Sequence, residues 1–138
     1  MKIIKNPSIV AIATAVVIFN FTSCKYEDGP NISLRSKKAR LTGEWEVKFI
    51  DGRGVSGNGN EVTFEFDKDG DVEYNINYSY YGNSYTYSLK GEWEWEDGKK
   101  SLEIILDGDK VEWEITRLTN KEFEFEDENN DKWELEKK

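Results

Sequence analysis

The sequence predicts an all-β domain, an eight-stranded antiparallel up-and-down barrel that follows an N-terminal export signal. Three observations lead there. From Leu41 onward, apolar and polar residues alternate with period two through eight successive segments, the pattern of strands with one buried face. The breaks between most segments are short and rich in Gly, Asp and Asn, which joins antiparallel neighbours; a parallel crossover needs about a dozen residues or more. Open strand edges invite aggregation, and closing eight strands into a barrel removes them.

The chain begins with a different signal. Lys2 and Lys5 precede residues 9–19, an apolar run of Ile, Val, Ala and one Thr that ends in Phe19. A membrane span needs roughly 20 residues, so this shorter run reads as the core of a signal peptide. Thr22 and Ser23 then precede Cys24, the only cysteine. The run Phe21-Thr22-Ser23-Cys24 resembles a bacterial lipobox, which implies cleavage after residue 23 and lipidation of Cys24. The alternative is a plain secretory signal with an incidental cysteine. A diacylated or triacylated Cys24 would anchor stably where a single chain binds only marginally. Lys25-Tyr26-Glu27-Asp28 is similar to the sorting signal of surface-exposed lipoproteins in some Gram-negative bacteria. The expected address is therefore the outer membrane, with exposure at the cell surface.

Residues 24–40 read as the lipidated cysteine and a tether, punctuated by Gly29, Pro30 and Asn31. Arg35, Lys37, Lys38 and Arg40 make a basic run in an acidic chain. It reads as a short turn lying across the acidic domain, or else as a contact with anionic headgroups at about 1 kcal/mol per basic residue.

Residues 41–138 supply the barrel. Trp45, Val47 and Phe49 open it, followed by Val62, Phe64 and Phe66. Val72, Tyr74, Ile76, Tyr78 and Tyr80 share the next face, and Tyr85, Tyr87 and Leu89 continue in unchanged parity through Gly91 to Trp93 and Trp95. An extra bulge residue would flip that parity, so Gly91 marks a bend where the sheet curls. Leu102, Ile104 and Leu106, then Val111, Trp113 and Ile115, then Phe123 and Phe125, then Trp133 and Leu135 complete the eight. Asp67-Lys68-Asp69-Gly70, Tyr81-Gly82-Asn83, Asp97-Gly98, Asp107-Gly108-Asp109, Thr119-Asn120 and Asn129-Asn130 are the turns. The break holding Gly52, Gly54, Gly57 and Gly59 reads as a long flexible loop.

Gly43 and Trp45 in Leu41-Thr42-Gly43-Glu44-Trp45 are similar to the Gly-x-Trp signature of lipocalins, and the eight-strand meander with a long first loop resembles theirs. The resemblance implies a lipocalin-like, calycin-type barrel with one open end and a small-ligand role. Alternating turns put residues 51–60 and the turns at 81–83, 107–109 and 128–131 at that mouth. Tyr78, Tyr80, Tyr85 and Tyr87 gather there as the candidate ligand-binding residues, because tyrosine hydroxyls favour a wet rim over a dry core. All five tryptophans fall on the inner face, and an eight-stranded barrel is just wide enough for side chains to fill it or to hold one small ligand. A packed interior, a shallow pocket at the mouth and a deep cavity all fit that pattern.

Composition narrows the chemistry. The formal charge is −9, and losing Lys2 and Lys5 with the signal takes it to −11, which excludes nucleic acid as a natural partner. There is no histidine, so the commonest general base and metal ligand is absent. Asp67 to Asp71 is similar to the start of a calcium loop, but Tyr78 stands where the bidentate Glu belongs, and the segment reads as a hairpin turn. Glu92, Glu94, Glu96, Glu112, Glu114, Glu122, Glu124 and Glu126 alternate with apolar residues and form an outward, solvated face rather than a catalytic pair. The expectation is a non-enzymatic protein without cofactor or metal. It would bind a small apolar or amphipathic ligand, or else act as an interaction module for a protein partner at the cell surface.

Overall fold

The computed structural model describes residues 35–138. The export signal, Cys24 and most of the expected tether lie outside the described residues. A five-residue helix, α1 (Lys37–Leu41), comes first, its N-terminus capped by the Ser36 side chain, which accepts from the Ala39 N–H at 3.1 Å. Nine strands follow: β1 (Gly43–Ile50), β2 (Arg53–Gly54), β3 (Glu61–Phe66), β4 (Asp71–Tyr80), β5 (Asn83–Glu96), β6 (Ser101–Leu106), β7 (Asp109–Leu118), β8 (Glu122–Glu126) and β9 (Lys132–Lys137). All pairings are antiparallel, β2 and β3 both pairing with β1 and each later strand with the one before it, and β1 pairs with β9 from Trp45↔Lys137 to Ile50↔Trp133, which closes the barrel. The eight long strands are those the alternation predicts; β2 is a two-residue addition.

Rings fill the middle of the barrel. Phe64 on β3 meets Trp113 on β7 edge-on at 5.1 Å between centroids, although these strands stand four apart in a ring of eight. Trp113 stacks on Phe125 at 4.1 Å, and Phe125 on Trp133 at 5.6 Å. Towards the other end Phe66 touches both Trp93 and Phe123, and Phe123 touches Trp45. A deep cavity along the axis is thereby ruled out at this level: the side chains of opposite walls are in contact.

The base is sealed by α1. Leu41 is fully buried, and its carbonyl accepts the Trp45 indole N–H at 2.6 Å. Lys137 lies 4.1 Å over the Trp45 ring and donates to the carbonyls of Arg40, at 2.9 Å, and Thr42. Gly43 has φ of +116°, and a side chain there would press on the Lys137 amine at 3.1 Å, so both motif residues serve the plug. Burial, helped by nearby Arg35, lowers Lys137 to about 8. Residues 37–40, read from sequence as part of the tether, thus belong to a helix against the barrel; Lys37 donates to the Lys99 carbonyl at 3.3 Å.

Two sequence expectations are corrected. Phe49, read as inward, is 44% exposed. The β1–β9 register shifts between Val47 and Phe49, so Lys48 is an extra residue that turns Phe49 out and Ile50 in. The glycine-rich break after β1 is not a free loop. Asp51 and Gly52, with φ of +49° and +74°, make a tight turn, β2 pairs back on Phe49 and Ile50, and Val55 packs on the core. A second shift, between Ile115 and Arg117, makes Thr116 the extra residue and brings Leu118 inward to full burial.

Gly91 keeps its register with both neighbours, opposite Val72 and Leu106, as parity requires. A Cβ built there would stand 1.8 Å from the Ile105 carbonyl oxygen, so the two backbones touch at this point. Gly91→Ala should therefore cost at least ~1–3 kcal/mol in urea unfolding, the usual penalty of overpacking; an unchanged midpoint would disprove the close approach. Lys137 yields a pH test. Its folded value of about 8 lies below the ordinary 10.5, so between the two the unfolded chain binds more protons and stability rises with pH. Over that window the wild type should gain on Lys137→Met, read as the difference in urea midpoints; a constant difference contradicts the depressed value.

Candidate functional site

The β4–β5 hairpin is the longest in the molecule and outgrows the barrel. Its two strands pair without interruption from Asp71↔Glu92 to Tyr80↔Asn83, and the turn at Tyr81 and Gly82 has φ of +48° and +76°. β3 accompanies β4 only as far as Asn77, and β6 accompanies β5 only as far as Gly91. Beyond those points no further strand of the described residues flanks the hairpin.

One face of this hairpin continues the core. Val72 is buried and Tyr74 stacks on Phe64 at 4.7 Å, with burial raising its hydroxyl above the ordinary 10.0. In the same parity follow Ile76, Tyr78 and Tyr80 on β4, and Leu89, Tyr87 and Tyr85 on β5. Tyr78 and Tyr85 face each other across the strands and stack at 5.2 Å, yet remain 44% and 43% exposed. Tyr87, 51% exposed, lies opposite Ile76, and Tyr80, 61% exposed, meets Tyr81 edge-on at 4.5 Å. The four tyrosines singled out from sequence are thus brought onto one face of one hairpin, as a ladder climbing out of the core. Tyr81, 87% exposed at the tip, is an aromatic that sequence reasoning assigned only to a turn.

The other face is a polar ladder. Thr86 donates to Asn77 at 2.8 Å and Ser88 donates to Asn75. The long break after β1 braces the hairpin from the side: the Ser79 N–H reaches Asn60 at 3.4 Å and its hydroxyl reaches the Gly59 carbonyl. Nothing in residues 74–89 is charged, in a chain that is 34% charged. At the same end Asp51 accepts from the Lys132 N–H at 2.8 Å, which lowers it, and its hydrogen bond to Asp131 raises that second carboxyl.

The acidic coat lies on the outside, as the alternation implies. A surface cleft of about 560 Å³ is lined by Asp69, Asp71, Glu92, Glu94, Glu103 and Lys110, with Lys110 paired to Glu103 at 2.6 Å. Glu94, Glu96 and Glu103 converge there within 4.8 Å. Gly43 and Trp45 sit at the opposite end of the barrel, in the basal plug. Cys24 lies outside the described residues.

Neither a family model nor a curated protein matches the sequence. The fold is similar to the crystal structure of a lipocalin-like protein from Bacteroides uniformis ATCC 8492, with a TM-score of 0.54 and 17% identity over 72% of this chain and 99% of that one. The domain is a lipocalin-like barrel, closed, antiparallel and up-and-down. At that identity the likeness extends to the fold alone.

Proposed function

We propose that this chain is a non-enzymatic outer-membrane lipoprotein, exposed at the cell surface, that holds a small apolar or amphipathic ligand at the mouth of its barrel on Tyr78, Tyr80, Tyr85 and Tyr87. The supporting observation is a face of rings continuous with the core yet open to solvent, above an interior its own side chains occupy. A flat, uncharged molecule gains stacking and apolar contact there and hydroxyls at its edge. Lipidated Cys24 supplies the anchor, and the acidic coat keeps the domain off an anionic surface. A second reading, an interaction module for a protein partner, is favoured by the filled interior and by a hairpin rich in Tyr, Ser and Asn, the composition of antibody paratopes.

Titration with the uncharged fluorescent probe N-phenyl-1-naphthylamine tests the ligand reading. Tyr80→Ser with Tyr87→Ser should weaken binding roughly tenfold, at about 0.5–1.5 kcal/mol per stacked ring. The same exposed positions should cost only ~0.5 kcal/mol each in stability. Equal affinity in the variant removes the tyrosine site. For the anchor, metabolic labelling with a radioactive fatty acid should mark the wild type and not Cys24→Ser; label on both, or on neither, overturns lipidation at Cys24.

A further inference from the structure

Among the described residues, the first half of β5 has one edge without a strand beside it. From Asn83 to Lys90 it pairs with β4 on one side only, since β6 joins at Gly91. Among the described residues no other strand lies along this stretch. Proteins guard such edges with charges, prolines or bulges. This edge has no proline and no register shift, and its single charge, Lys90, sits at the barrel end. The residues are Ser, Thr, Asn, Tyr and Leu, in the alternation of a strand ready to pair.

We propose that this edge is a docking site for a second copy of the chain, with two β5 strands pairing antiparallel about a two-fold axis. Charge selects that occupant. With a formal net charge of −9, two copies repel wherever their coats meet, and the uncharged hairpin over residues 74–89 is the strip where they can touch without like charges at the seam. Geometry supports it. An axis normal to the sheet places the same face of both strands on the same side, so the tyrosine ladders join into one four-stranded platform. The projection of the hairpin beyond the mouth holds the two acidic barrels at opposite ends of that platform. Tyr85 and Tyr87, 43% and 51% exposed, then gain cross-strand neighbours. This inference is independent of whether a small ligand binds.

Sedimentation velocity of the full chain in mild detergent across the micromolar range tests it. The wild type is expected as a dimer, and Thr86→Glu with Ser88→Glu as a monomer. A mixture of that variant with Thr86→Lys plus Ser88→Lys should recover the dimer, because opposite charges then face each other. Near-ultraviolet dichroism of the tryptophans keeps watch on folding, since the barrel rings do not touch positions 86 and 88. A monomeric wild type throughout the range overturns the proposal, leaving the edge to some other extended strand. So does a glutamate variant that still dimerises, or a mixture that stays monomeric.

Discussion

The contact between Phe64 and Trp113 governs what this molecule can be. Two rings from opposite walls meeting at van der Waals range mean that the barrel is narrow and filled, and with a single cysteine in the chain its stability comes from apolar burial and ring packing rather than from an internal disulfide. The plug beneath them extends the same logic to the base. Leu41, Trp45 and the Lys137 amine close it with one apolar side chain, one indole and a cation whose partners are carbonyls and a π face. A filled barrel moves any recognition to its rim, and the rim is dominated by one overgrown hairpin.

Charge divides the surface into two regions with different work to do. Outward glutamates along β5 to β8 keep the wall solvated, and lysines and an arginine pair with several of them at the surface, as Lys132 does with Glu124 and Glu134 at 3.1 Å. Such surface pairs add little stability each. The β4–β5 extension is exempt from this coat. In this acidic domain one strip is thus left neutral, aromatic and hydroxylated.

Much of this fold is legible in the residue order itself. Eight strands, their order, the turn at Tyr81-Gly82 and the unbroken parity through Gly91 all follow from period-two alternation and turn chemistry, because a pleated strand with one buried face repeats its choice at every second residue. The misses have two causes. Phe49 takes the opposite side from the one simple alternation assigns because Lys48 is an extra residue, and an extra residue leaves no mark in composition; Thr116 likewise brings Leu118, which alternation left unassigned, into the core. The break at 51–60 looked free because its glycines are many, although Asp51-Gly52 is a hairpin signal and Val55 an apolar residue in need of cover.

The candidate site divides in the same way. That Tyr78, Tyr80, Tyr85 and Tyr87 share a face is a matter of parity and was fixed by residue order alone. How far β3 and β6 climb beside them was not, since strand stagger around a closed barrel depends on all eight pairings at once. Sequence alone therefore determined the barrel, its inward rings and its neutral hairpin. Only the tertiary structure decided that the rings cross the axis, that the tyrosines stand in solvent, and that among the described residues no second strand lies beside the first half of β5. Those three outcomes depend on distances between strands remote in the chain, which local periodicity does not encode.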